Sequence, residues 1–201
     1  MQKLNLNKNK TALIVVAHPD DETIWMGATI LMHKNADWTI FSLCRAKDID
    51  RAPKFRRVCE FFGARSIMTD LDDEDKLTIP QTLPVIKKLI LEKIGNKNFD
   101  CIFTHGSNGE YGHPRHKGVH RAIVALVKKN ELKTKNLYCF HYKKTSDYKL
   151  ASAANADIII KLTAKQLNQK KKVMTQIYGF APDGIDTEYC TNPESFKAFN
   201  I

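Results

Sequence analysis

The run TALIVVA at residues 11–17 constrains this chain more than any other feature. It is too short for a buried helix and shows no polar alternation, so it reads as a strand covered on both faces. Such a strand needs parallel neighbours in its sheet and helices above and below it. The rest of the sequence supplies them in alternation. A helical pattern over 22–34 is followed by a strand at 38–44, a helix at 53–62 stopped by Gly63, and a short strand at 66–69. Then come an acidic loop at 70–75, a helix at 81–94, a strand at 100–104, a helix at 116–129 and a strand at 137–140. Residues 158–160 add a strand and 164–178 a helix. The β-α-β-α order predicts an α/β fold: one doubly wound, Rossmann-like, mostly parallel sheet with helices on both faces. Residues 1–10 read as a flexible N-terminal tail and 11–201 as one domain, with no internal repeat or long linker.

Composition narrows the function classes. With 43% hydrophobic and 27% charged residues, the chain is an ordinary globular one, and no apolar run nears the roughly 18 residues that cross a bilayer. The first ten residues carry no apolar signal-peptide core, so the expected setting is cytoplasmic. Five widely spaced cysteines, Cys44, Cys59, Cys101, Cys139 and Cys190, contain no CxxC pair and predict neither disulfides nor a thiolate metal site. The formal charge of +10 comes from 25 Lys and only 7 Arg, scattered over presumed helix faces. Nucleic-acid binders more typically cluster Arg with aromatics, so no nucleic-acid partner is expected, whereas a small anionic substrate suits the field.

Two polar segments fall at strand ends, where doubly wound sheets bind their ligands. The first is His18-Pro19-Asp20-Asp21-Glu22, directly after the 11–17 strand. The second, His105 to His116, follows the 100–104 strand and holds three Gly and a Pro, which favours an ordered, tight loop. Catalytic zinc takes three protein ligands and keeps a fourth position open, and His18, Asp21 and His116 make such a set. Asp20, beside them, is then free to serve as a base. Each piece has a plainer reading. Asp-Asp-Glu after a strand fits helix capping, and His-Pro-Arg-His fits surface decoration. The two segments together, on one sheet, carry a complete ligand set.

These residues resemble the LmbE-like or PIG-L zinc N-deacetylases, whose signature is a strand followed by HPDDE and a later GHPDH-type loop. HPDDE is intact at 18–22, Thr23 to Gly27 is similar to the family's helix, 109–116 to its later motif, and 163–176 to its late Lys-rich helix. The resemblance implies zinc on His18, Asp21 and His116, with Asp20 as general base and His113 as second acid/base or oxyanion stabiliser. It implies that Tyr111 touches the reacting carbonyl. It also implies a substrate-binding Arg, with Arg51 the candidate and Arg56 the alternative, because Lys54 stands where the family's Arg-x-x-Glu would have Glu. Arg115 departs from the pattern, replacing an acidic residue or Asn. Facing the pocket, it would lower the pKa of His113 or bind an anionic group of the substrate; otherwise it would turn outward.

The expected function is zinc-dependent removal of an acetyl group from an N-acetylated amino sugar or glycoconjugate, of the N-acetylglucosamine type. The partner is that small molecule, and a homo-oligomer is compatible with the sequence. Two alternatives remain: deacylation of another amide, and a non-catalytic, metal-containing sugar-binding protein.

Overall fold

A computed structural model describes residues 4, 6–73, 77–146 and 149–200 of the chain. Strand β1 (Thr11–Val16) lies at its centre, and its side chains divide by parity. Ala12, Ile14 and Val16 enter one apolar cluster with Trp38, Phe55 and Phe62, while Leu13 and Val15 enter a second with Ile86, Ile90 and Ile123. Two-sided burial is the reason the run shows no polar alternation. Beside β1 lie β2 (Asp37–Cys44), β3 (Arg65–Leu71), β4 (Asn98–Thr104) and β5 (Lys133–Phe140), in the order β3-β2-β1-β4-β5 and all parallel. Helices α1 (Asp21–Met32) and α2 (Arg51–Phe62) cover the first cluster; α3 (Ile79–Ile94) and α4 (Pro114–Lys128) cover the second. This is the doubly wound arrangement the sequence predicts. Strand order reverses at β1, whose neighbours are β2 and β4, so the crevice beyond the carboxyl ends of β1 and β4 is the switch point of the sheet.

The later part of the chain departs from the expected pattern. A hairpin of β6 (Tyr142–Ser146) and β7 (Lys149–Ser152) stands apart from the main sheet. Beyond β8 (Ile158–Ile160), α5 (Ala164–Lys172) continues as a π-helical turn, Val173–Tyr178, and α6 (Ile185–Glu188) follows. Strand β9 (Glu194–Phe199) enters the main sheet antiparallel between β5 and β8. Its mixture of Glu, Ser and Lys with apolar residues hid it, yet Glu194 and Ser195 are fully buried.

Two boundaries need correction. Leu6 is buried and Leu4 packs against the first cluster, while Lys10 accepts the Asp37 N–H at 2.8 Å, so these residues of the expected tail are docked. Residues 1–3 and 5 lie outside the described residues. The acidic loop expected at 70–75 begins inside β3, and Glu74 and Asp75 lie outside the described residues. All five cysteines are free and buried.

Candidate metal centre

The HPDDE segment turns from β1 into α1 with a strained joint. Asp20 caps the helix at φ 129°, a region that side-chain-bearing residues rarely occupy, and such strain persists only where the surroundings enforce it. Here Glu22 enforces it. Its buried carboxylate accepts from Asp20 N–H at 3.1 Å, Thr23 Oγ1 at 2.6 Å and the Tyr178 hydroxyl at 2.8 Å. The second loop is built on glycine. A Cβ at Gly106 would lie 2.5 Å from the Phe140 carbonyl oxygen, and one at Gly109 would lie 2.7 Å from that of His113. This close approach lets Gly106 N–H reach Glu110 Oε1 at 2.7 Å and fixes the carboxylate behind the histidines.

The two loops bring His18, Asp21 and His116 together. Tetrahedral zinc with bonds of about 2.0–2.1 Å spaces its donors about 3.3–3.4 Å apart. His18 Nδ1 lies 3.3 Å from Asp21 Oδ2 and 3.3 Å from His116 Nε2, and Asp21 Oδ1 lies 3.4 Å from His116 Nε2. The two Asp21 edges run to different oxygens, Oδ2 toward His18 and Oδ1 toward His116, so the donor set fits the ion in chemistry, with its ligand atoms gathered within 4.8 Å of one another. Its supports fit as well, because metal-binding histidines almost always engage a further group through their other ring nitrogen. His18 Nε2 is 2.6 Å from Asp73 Oδ1, and His116 Nδ1 is 2.6 Å from Glu110 Oε2. Asp21 accepts from Trp25 Nε1 at 2.9 Å and from His18 N–H at 2.9 Å. Two neighbouring groups, His18–Cys44–Asp73 and His105–Glu110–His116, also gather donors. Their short carboxylate–imidazole contacts are hydrogen bonds that orient the ring, tighter than the edge of a metal tetrahedron.

Asp20 points beside this set, with Oδ2 3.0 Å from Arg51 Nη1, and the Arg51 guanidinium lies 4.3 Å over the Phe180 ring. Burial, then the charge of Asp21, pushes Asp20 well above the usual carboxylate range despite His18 and Arg51. For Asp21, burial is outweighed by His116 and His105, which hold it well below that range. Burial opposes a charged His18, but Asp21 and Asp73 raise it to about 10. His113 goes the other way: burial, reinforced by His116 and His18, lowers it to about 3. The ring is thus neutral near pH 7. Because Arg115 N–H donates to its Nδ1 at 3.2 Å, the proton sits on Nε2.

A cleft of about 260 Å³ opens onto these groups, lined by His18, Asp20, Asp21, Arg51, Tyr111 and His113 among others. Arg115 does not reach it. Its side chain is fully buried, with Nη2 2.6 Å from Asp72 Oδ2 and Nη1 donating to the Leu77 carbonyl at 3.1 Å. The expectation of a substrate contact at Arg115 is therefore corrected, and so is the outward turn, because helix phase aims the side chain into the α3 approach. The chief causes that lower His113 are burial and the neighbouring His116 and His18. Arg56 is exposed on α2 away from the cleft, so of the two candidates Arg51 is the one in place; Arg45, paired with Asp73 at 2.7 Å, lines the cleft as well. Sequence reasoning missed Trp25, Glu110, Asp73, Asp186 and Tyr189. Glu110 carried a signal, an acidic residue close to a predicted metal-binding histidine, and Trp25, in the predicted helix, stands one turn beyond Asp21; Asp73, Asp186 and Tyr189 come from distant segments and carried none.

At the switch point of this doubly wound α/β protein, three possible metal donors converge with a further carboxylate beside them. The chain belongs to the PIG-L family, described as GlcNAc-PI de-N-acetylase, which matches residues 13–127. Over 157 residues it is 26% identical to uncharacterized protein L374 of Acanthamoeba polyphaga mimivirus, covering 70% of this chain and 65%, just under two thirds, of that protein. Among solved structures, it resembles the A40926 pseudoaglycone deacetylase Dbv21 with a TM-score of 0.67 and 14% identity, over 96% of this chain and 98% of that one. It also resembles GalB, the 4-carboxy-2-hydroxymuconate hydratase of Pseudomonas putida KT2440, with a TM-score of 0.63 and 13% identity over 96% and 97%. A deacetylase and a hydratase share this architecture, so the reaction must be argued from the site.

Proposed function

We propose that this protein is a zinc-dependent amide hydrolase that removes an acetyl group from an N-acetylated amino sugar or glycoconjugate, of the N-acetylglucosamine type. The observation that carries this reading is the His18, Asp21 and His116 donor triangle with Asp20 beside it, in a chain of the de-N-acetylase family. Zinc held there would polarise the amide carbonyl and make water more acidic. Asp20 takes the proton of the attacking water as the C–O bond forms and returns it to the amide nitrogen as the C–N bond breaks, so that acetate and the free amine leave. Arg51, 3.0 Å from Asp20 Oδ2, keeps the carboxylate aimed. His113, neutral and protonated at Nε2, donates a hydrogen bond to the oxygen that gains charge, with the Tyr111 hydroxyl on the same wall. Arg51, braced on Phe180, meets the hydroxyls or an anionic group of the substrate. No helix among the described residues is long and apolar enough to cross a membrane, and five free, buried thiols suit the cytoplasm.

The test combines elemental analysis with amine release from a panel of N-acetyl sugars and longer-chain N-acyl amides. One zinc per chain and amine from the N-acetyl sugars are expected. Amine only from the other amides would replace the substrate class. Sugar binding by the zinc-loaded protein without amine release would make it a non-catalytic binder.

A further inference from the structure

We infer that Glu194, Lys170 and Tyr142 form a clamp on a break in α1 and act on the metal centre through Trp25, as positioning residues for Asp21. The inference rests on the reading of Asp21 as a metal ligand.

Helix α1 is interrupted at Met26, whose φ of −150° and ψ of 18° are not helical. A break inside a buried helix leaves N–H and C=O groups without their partners, and each must be met by something else. Four contacts at the break come from the later part of the chain, from Glu194 and Tyr142. The Glu194 carboxylate, at the start of β9, accepts from Ala28 N–H at 3.0 Å, Thr29 N–H at 2.8 Å and Thr29 Oγ1 at 2.6 Å, capping the second half of the helix. On the other side of the break, the Tyr142 hydroxyl donates to the Trp25 carbonyl at 2.6 Å and accepts from Ser195 N–H at 3.2 Å. Lys170 Nζ lies 2.8 Å from Glu194 Oε1, and both side chains are 0% exposed. The lysine stem passes over Gly27, where a Cβ would stand 3.5 Å from Lys170 Cγ and 3.3 Å from Thr23 Cγ2.

A buried ion pair is often no more stabilising than an apolar pair of the same size. What this pair does supply is a fixed set of acceptors for the broken helix. The break sets the orientation of Trp25, whose carbonyl Tyr142 holds and whose ring centre is 5.2 Å from that of Tyr142. Trp25 Nε1 then donates to Asp21 Oδ1 at 2.9 Å, one turn back along the helix. The chain of contacts runs from β9 and α5 to Asp21, and none of its three clamp residues lines the cleft.

The experiment uses the full chain labelled with 5-fluorotryptophan, which places a reporter at Trp25 and another at Trp38; Trp38→Phe assigns the two signals. Two variants are compared with wild type: Tyr142→Phe, and the double substitution Lys170→Met with Glu194→Gln, which removes both charges together. Three quantities are read: the 19F shifts of the metal-free protein, zinc affinity by chelator competition, and thermal midpoint. Expected are a displaced Trp25 signal beside an unmoved Trp38 signal, and zinc affinity lower by ten- to a hundredfold, the range for groups that orient metal ligands. Unmoved Trp25 signals with unchanged zinc affinity overturn the proposal, whatever the thermal midpoint does, because the clamp is then structural only. Should the double variant not fold, Tyr142→Phe decides alone. Should wild type bind no zinc, the reading of Asp21 as a ligand fails, and the Trp25 signal still decides whether the clamp sets that side chain.

Discussion

Strands β1 and β4 run side by side, and their two ends use charge in opposite ways. At the amino ends, the partly exposed Asp100 carboxylate accepts from Thr11 N–H at 3.0 Å, Lys135 Nζ at 2.8 Å and Lys10 Nζ at 3.3 Å, so cations and a backbone donor surround one acid. Those partners hold Asp100 far below the usual carboxylate range. At the carboxyl ends, buried Asp21, Glu22 and Glu110 stand behind a half-buried Asp20 on the cleft wall, the backbone is strained at Asp20, and its desolvation drives Asp20 upward. The same two strands end in a group at ease and in a group kept reactive. Proteins tolerate the second arrangement where chemistry needs it.

The sharpest way to break this contrast is to remove a donor from the reactive end. His116→Ala and His18→Ala should each take bound zinc from one per chain to nearly none while far-UV circular dichroism stays native, because the core clusters do not depend on the ion. Stoichiometric zinc in both variants, by elemental analysis, would remove the site.

Next in size is Asp20→Asn, which keeps shape and charge-free hydrogen bonding. Zinc should be retained and kcat should fall by about 10²–10⁴, the range for a lost general base. Near-native kcat with full metal would show that Asp20 is not the base.

A smaller effect belongs to Arg115, which lies beside the site without entering it. Arg115→Met should leave KM alone and cost about 2–3 kcal/mol of stability, below the roughly 3–5 kcal/mol of a fully buried pair, because Asp72 keeps some contact with water. A raised KM at unchanged unfolding midpoint would return Arg115 to the cleft.

The smallest effect is at the quiet end. Asp100 has a folded pKa below its unfolded value, so its contribution is present above about pH 4 and disappears as pH falls through the folded value. Asp100→Asn should therefore lower the urea midpoint slightly at pH 7 and flatten its decline between about pH 4 and 2. An unaltered acid limb would show that Asp100 is not held as drawn.

The legible part of the molecule was the part written in consecutive residues. Two-sided burial of β1 left an uninterrupted apolar run, and the donors sit in two short segments whose spacing survives in the sequence. What stayed hidden depends on where a side chain points or on pairings across the chain. Arg115 adjoins a candidate ligand, but helix phase turns it toward Asp72, 43 residues away. Arg51 rather than Arg56 reaches Asp20 because α2 begins at Arg51, two residues before the expected start, which puts Arg51 at the crevice end of the helix. Asp73 supports His18 from a loop whose sequence says only that it is acidic. Strand β9 could not be read from its own mixture of residues, since its burial is conferred by β5 and β8 on either side.

The order β5-β9-β8 also bears on how the chain is made. Strand β8 leaves the ribosome before β9, but in the finished sheet it hydrogen-bonds to β9 and not to β5. Until residues 194–199 have emerged, β8 has no edge to join, and the sheet waits with β5 exposed. The donors of the metal centre, all within residues 18–116, are synthesised long before that moment. Glu194 arrives among the last of the buried groups. The first 116 residues thus hold every donor of the candidate site, while the late segment supplies the final brace on the helix that positions Asp21.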